Sequence, residues 1–228
     1  MKIYQMPNPK KVKALIFDMD LTLYTSEEYG RQQIDGLVEK LASVKGRSPS
    51  PSSIEELARE IEEHRRSWAA AHNGAALSMS HVFTLFYGVS MEENIRWREE
   101  VYTPERYLRK DPRLKEALQK LRELFALALV TNNTVSIAKR TLAAIGAEEF
   151  FPVPFIVGLD TCNAAKPDKR PFYRAAELLG LLPENCVSVG DRYDVDIALP
   201  LEMGMGGILV EGVEEVYSLP EVFREKDP

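Results

Sequence analysis

The residues best suited to chemistry are Asp18-Met-Asp20-Leu-Thr22, which begin where the apolar run at residues 12–17 stops. Carboxylates at the carboxyl end of a parallel strand lie where open α/β sheets bind ligands. Three further polar clusters occupy comparable places: Thr131-Asn132 after the run 125–130, Lys166-Pro167, and Gly190-Asp191 after the run 187–189, continuing to Asp194 and Asp196. Parallel strands would bring these ends together. Two carboxylates about 4 Å apart repel by roughly 4 kcal/mol at an effective dielectric of 20, so Asp18, Asp20 and Asp191 need a cation if they share a pocket. An all-oxygen donor set suits Mg²⁺ rather than zinc. The assembled chemistry is that of a phosphoryl group, with Thr131, Asn132 and Lys166 as its hydrogen-bonding and cationic complement.

Each residue also has a plainer reading. A lone Asp after a strand is more often a helix cap, Lys166 could be a solvated loop lysine, and Thr131-Asn132 could cap a helix starting near residue 134. The ordered set favours function for these positions. Thr22 reads instead as a hydroxyl that satisfies nearby main chain and holds the loop. His64, His72 and His81 share no compact ligand spacing, and Cys162 and Cys186 lie outside any CxxC pattern, so these five residues are read as packing or surface positions.

The elements that must position these groups follow from periodicity. Short apolar runs at 12–17, 125–130, 155–157, 187–189 and 208–210 read as buried parallel strands. Segments 111–124, 134–145 and 168–180 have helical spacing, and the alternation predicts an α/β fold with an open parallel sheet covered on both faces. About eighty residues separate the first run from the next, where a βα unit needs only a few tens. The stretch 26–104 holds only helical candidates, at 27–45, 54–71, 79–87 and 91–102, and is expected to form an inserted all-helical cap domain. Residues 1–25 and 105–228 would then form the catalytic core. Residues 48–53 read as a joint between cap helices, with a capping box from Ser53 to Glu56. Trp68, Phe83, Phe86, Tyr87 and Trp97 are expected to form the cap's own core, and Arg65, Arg66, His72, Asn73 and Gly74 a solvated face. Gly204, Gly206 and Gly207 do not match GxGxxG and read as a tight turn.

The chain has 228 residues, 45% of them hydrophobic and 28% charged, with a formal net charge of -6. That balance buries a sizeable core, and its scattered Lys and Arg lack the basic face of a nucleic-acid binder. The N-terminus lacks a signal-peptide stretch and no apolar run could span a bilayer, so a cytoplasmic protein without a membrane partner is expected. The expected partner is a small phosphorylated metabolite, and the expected state a monomer or weak homo-oligomer.

The four clusters, in order as Asp18-x-Asp20-x-Thr22, Thr131, Lys166-Pro167, and Gly190-Asp191 with Asp196, resemble the haloacid dehalogenase-like (HAD) hydrolase superfamily. The resemblance implies a Rossmann-like sheet and makes Asp18 the nucleophile that becomes an aspartyl phosphate. It makes Asp20 the residue that protonates the leaving oxygen and then activates water, which requires crowding to raise its affinity for a proton. It assigns Mg²⁺ to Asp18, the main-chain carbonyl of Asp20 and Asp191. The second acid of the last motif falls in or near the coordination sphere, Asp196 being favoured over Asp194 by its offset. The implied activity is hydrolysis of a small phosphomonoester such as a nucleoside monophosphate. The Asp18-x-Asp20-x-Thr22-Leu-Tyr24 opening, the all-helical cap and the re-entry at 104–124 look like the pyrimidine nucleotidase branch, and phosphoglycolate and sugar-phosphate phosphatases have similar caps. Alternatives are a phosphomutase with the same two aspartates, and a non-hydrolytic phosphoaspartate signalling or binding module, whose acceptor Asp would follow a middle strand of a fold without a cap.

Overall fold

A computed structural model of the chain describes residues 1–7, 11–46, 50–72 and 77–224. Its strands are β1 (Lys2–Tyr4), β2 (Ala14–Phe17), β3 (Ala126–Val130), β4 (Ile156–Val157), β5 (Cys186–Gly190) and β6 (Gly206–Leu209), and they form one sheet in the order β1-β6-β5-β2-β3-β4. All neighbours are parallel except β1, which runs antiparallel to β6. The chain forms two compact units, one of Met1–Ser26 with Pro104–Pro228, which holds the sheet, and one of Glu27–Thr103, which holds only helices.

β2 is the central strand, and Ala14, Leu15, Ile16 and Phe17 are fully buried. A strand covered on both faces reads as a continuous apolar run rather than an alternating one. Ile16 packs with Ala128, Val130, Val157, Phe172 and Ala175, so the helix Lys169–Leu178 seals one face of the sheet. From β2 the order grows toward β3 and β4 on one side and toward β5 and β6 on the other. This makes the carboxyl end of β2 the topological switch point, where a crevice opens between diverging connections.

β1 has no periodic signature in the sequence, because two exposed residues and one partly buried residue at a sheet edge carry too little pattern. Gly206 and Gly207, read as part of a turn, belong to β6. A Cβ on Gly207 would lie 2.7 Å from Ile197 Cγ2, so the strand needs glycine there for close packing. Gly204, with φ +86°, makes the turn itself.

The helical unit comprises Glu27–Val44, Pro51–Ala71, Met79–Tyr87 and Met91–Val101. Its second helix starts earlier than its apolar pattern suggested. Ser50 is the cap, its hydroxyl accepting from Ser53 N at 3.3 Å with Pro51 in the first turn, so the expected box from Ser53 to Glu56 does not form. Ser48 and Pro49 of that joint, and Asn73 and Gly74, lie outside the described residues. The first and fourth helices approach closely because Gly36 has no side chain: a Cβ there would meet Val101 Cγ1 at 2.5 Å. Phe83 and Trp97 are buried and meet edge to face at 6.1 Å, whereas Phe86 is exposed and stacks on His64, and Trp68 stacks on His72. The aromatic core is therefore smaller than the sequence pattern suggested, because one helix face holds only part of the aromatic set. Arg65 and Arg66 pair with Glu62 along the same helix.

Ile16→Ala should lower stability by about 2–5 kcal/mol, the cost of a cavity in a closed core, while Ile3→Ala on the edge strand should cost less than about 1 kcal/mol. Urea denaturation of the two variants measures the difference.

Candidate active site

The register of the sheet brings the sequence clusters together. Phe17 lies level with Leu129 of β3 and Val189 of β5, so Asp18, Thr131 and Asp191 emerge at nearly one height from three adjacent strands. Asp18 N donates to Val189 O at 2.8 Å, and Thr131 N to Val157 O at 3.0 Å, which extends the ladder to the lip of the site.

Lys166 reaches this lip from the loop before the helix Lys169–Leu178. Its ammonium is 1% exposed and donates to Asp18 Oδ1 at 2.5 Å and to Asp196 Oδ1 at 2.6 Å. A buried ammonium is costly unless paired, and here two carboxylates pair it. Burial works against the charge, but Asp18 and Asp196 outweigh it and the Lys166 pKa is raised. Asn132 fixes the lysine in place through its main chain, its Nδ2 donating to Lys166 O at 2.9 Å and its Oδ1 accepting from Lys166 N at 2.6 Å. The side-chain amide of Asn132 is thus engaged with the lysine loop at both ends. The Thr131 hydroxyl accepts from Asn133 N at 3.2 Å, shaping the same turn, and Thr134 caps the helix Val135–Ile145. Thr22, read as a main-chain partner, instead turns its hydroxyl toward Asp18 Oδ2 at 3.4 Å.

The segment after β5 folds into a π-helical turn, Tyr193–Ile197, that carries Asp196 inward. Asp196 is 1% exposed and Asp194 is exposed, so the fold buries the acid that the motif offset favours and leaves its neighbour at the surface. Asp196 Oδ2 accepts from Arg192 N at 3.1 Å, and its main-chain carbonyl accepts from the Ser188 hydroxyl at 2.6 Å. Gly190 makes the inward turn sterically feasible, since a Cβ on it would fall 2.4 Å from Asp196 Cβ.

One carboxylate atom each from Asp18, Asp191 and Asp196 lies within 4.8 Å of the others, and this is the one such acidic or histidine cluster among the described residues. Each pair at that distance repels by roughly 3 kcal/mol at an effective dielectric of 20. Burial, then the neighbouring charges of Asp18 and Asp196, push the Asp191 carboxyl up to about 7. Its buried Oδ1 has no hydrogen-bond donor, and Arg192 Nε stands 3.8 Å away on a half-exposed arm. An orphaned carboxylate oxygen beside two further carboxylates fits a hard divalent cation. The histidines take no part, and Cys186 is a packing residue whose thiol burial pushes up to about 11.

Two residues that meet the Asp20 carboxyl have no site role assigned from the sequence. Asp20 Oδ2 accepts from Asn133 Nδ2 at 2.8 Å, and Asp20 Oδ1 accepts from the Tyr24 hydroxyl at 2.5 Å. Asn133 stands in the sequence only as the neighbour of Asn132, and Tyr24 only as the last residue of the motif opening, with no chemical role of its own.

The family model of the haloacid dehalogenase-like hydrolases matches residues 12–204. The chain belongs to this family and is a hydrolase. It is 30% identical over 203 residues to the glyceraldehyde 3-phosphate phosphatase of Methanopyrus kandleri, a match covering 85% of this chain and 82% of that one. It is 34% identical over 92 residues to the phosphoglycolate phosphatase of Aquifex aeolicus, covering 40% of this chain and 42% of the other. Its fold is similar to that of a HAD phosphatase from Thermococcus onnurineus, with a TM-score of 0.64 at 22% identity, covering 92% of this chain and 97% of that one. No helix among the described residues is long and apolar enough to cross a membrane.

A carboxyl held at about 7 in the fold, against about 3.9 in the unfolded chain, binds its proton more tightly when folded. Its contribution to stability is therefore lost as the pH rises from about 4 to about 7. In chelator, Asp191→Asn should be more stable than the parent at pH 8 by about 1–3 kcal/mol, and the gap should shrink at pH 5. Urea denaturation at the two pH values measures it.

Proposed function

We propose that the protein is a Mg²⁺-dependent phosphatase of a small phosphomonoester, working through an aspartyl phosphate on Asp18. The observation that carries this reading is the surroundings of Asp18: a buried carboxylate tied to Lys166, flanked by Asp191 and Asp196, with Asp20 two residues away. Asp18 and Asp191, with Asp196 beside them, would hold Mg²⁺, which supplies the positive charge that lets a dianionic phosphate approach three carboxylates.

The steps fall to the chain's own residues. An Asp18 oxygen attacks phosphorus, the ester P–O bond breaks, and Asp20 gives its proton to the departing alkoxide. Water then attacks the phosphorus of the acyl phosphate while Asp20 takes a proton from it, which restores Asp18 and releases phosphate. Lys166 keeps Asp18 oriented and offsets charge as it builds on the phosphoryl oxygens. The Thr131 hydroxyl, at the same lip, is assigned to the phosphoryl group. Asn132 acts by fixing Lys166 rather than by offering its own amide. The match to a phosphatase of glyceraldehyde 3-phosphate supports a substrate of that class, a short phosphorylated metabolite.

With a panel of short-chain phosphomonoesters, turnover should require Mg²⁺ and fall to background in excess chelator, while Asp18→Asn should be folded and inactive. Mg²⁺ should raise the melting temperature of the parent and do so less for Asp191→Asn. In Asp20→Asn, rapid quench from p-nitrophenyl phosphate should leave phosphate on the peptide containing Asp18, because an activated leaving group needs little protonation and hydrolysis of the intermediate is impaired. Undiminished turnover in chelator, or ¹⁸O from water entering product phosphate in a single turnover with no phosphoenzyme formed, would overturn the reading.

A further inference from the structure

We propose that Tyr24 and Asn133 are positioning residues for the acid–base step, together holding the Asp20 carboxyl in one orientation. This rests on the reading of Asp20 as the proton donor and acceptor of the cycle. The two residues grip opposite oxygens, Tyr24 Oη at 2.5 Å from Oδ1 and Asn133 Nδ2 at 2.8 Å from Oδ2. A carboxyl gripped on both oxygens cannot rotate about its terminal torsion, which is otherwise broad and two-fold.

Both grips are built into the fold. The turn after β2 winds tightly: Thr22 N and Leu23 N both donate to Met19 O, and Leu21 adopts the left-handed region at φ +60°. That conformation is unfavourable for a non-glycine residue, and the turn it makes returns Tyr24 alongside Asp20, where the two backbones form a parallel bridge. Tyr24 is 7% exposed, so its ring is fixed by packing. Asn133 is held by its main chain, N donating to Thr131 Oγ1 at 3.2 Å and O accepting from Leu159 N at 2.9 Å. Gly158 allows that approach, since a Cβ there would lie 2.8 Å from Asn133 O.

The two partners differ in chemistry. An amide nitrogen only donates, whereas a hydroxyl donates or accepts. The Asn133 grip therefore assigns Oδ2 as an acceptor, and the Tyr24 grip on Oδ1 persists whether that oxygen carries the transferred proton or has given it up.

Tyr24→Phe and Asn133→Ala test this, with folding of each checked by its melting curve. For an alkyl phosphomonoester such as β-glycerophosphate, kcat should fall about 10-fold with KM changed less than about two-fold, since the loss is confined to proton transfer. For p-nitrophenyl phosphate the burst that forms the phosphoenzyme should stay within about two-fold of the parent. In an Asp20→Asn background, Tyr24→Phe should add less than about a two-fold loss, because a residue acting through Asp20 has nothing left to position. Equal losses for both leaving groups in the step that forms the phosphoenzyme, or an undiminished Tyr24→Phe effect in the Asp20→Asn background, would overturn the positioning role while leaving the phosphatase reading intact. If Asp20→Asn itself shows no dependence on the leaving group, both the positioning role and the acid–base reading of Asp20 are wrong.

Discussion

The structure is organised around the repulsion of three carboxylates held within 4.8 Å of one another at the carboxyl ends of β2 and β5. A fold can hold such a cluster only by supplying positive charge and by preventing the acids from moving apart. Lys166 does the first from within the chain, bridging Asp18 and Asp196 with a fully buried ammonium. Asn132, Gly190 and the π-helical turn do the second: one locks the lysine loop, one removes the side chain that would push Asp196 out, and one winds Asp196 inward. Asp191 is the member whose buried Oδ1 has no hydrogen-bond donor, and burial followed by the charges of Asp18 and Asp196 raises its pKa.

The price of that arrangement is borne by the sheet. β2 is buried on both faces along its whole length, and its neighbours β3 and β5 pair with it in a register that sets Asp18, Thr131 and Asp191 at nearly one height. Because the strand order reverses at β2, the site lies where open α/β sheets bind their ligands. The left-handed Leu21 stands beside Asp20 and the π-helical turn carries Asp196, while regular apolar packing lies beneath them. Proteins commonly break local rules at sites of function and offset the cost in the surrounding core.

Two kinds of signal made much of this readable from the residues. Apolar runs bounded by charge located five strands because parallel strands buried on both faces must be apolar throughout. Helical spacing located the helices of the inserted segment, with Met79–Tyr87 recovered to the residue. The errors fall where periodicity has no hold: the edge strand β1, the helix start at Ser50, whose proline turn precedes the apolar pattern, and Gly206-Gly207, where glycine serves packing and not a turn.

At the site the division is equally physical. The sequence by itself determined the inventory, because chemistry depends on residue type and Asp18, Asp20, Thr131, Lys166, Asp191 and Asp196 each stand just beyond an apolar run or in a loop of the same set. It favoured Asp196 over Asp194 only through the offset of the family motif, since both lie in one short acidic segment. Only the π-helical turn, closing against Gly190 and Ser188, buries one and exposes the other. Nor could it show that Asn132 serves Lys166 across 34 positions, that Thr22 turns to Asp18, or that Asn133 reaches Asp20 across 113 positions. Thr22 meets Asp18 through the tight turn after β2. The two asparagine pairings are set by strand register and loop return, which bring together residues with no local relation in the chain, and a hydrogen bond depends on where atoms lie and not on which residues are neighbours in sequence.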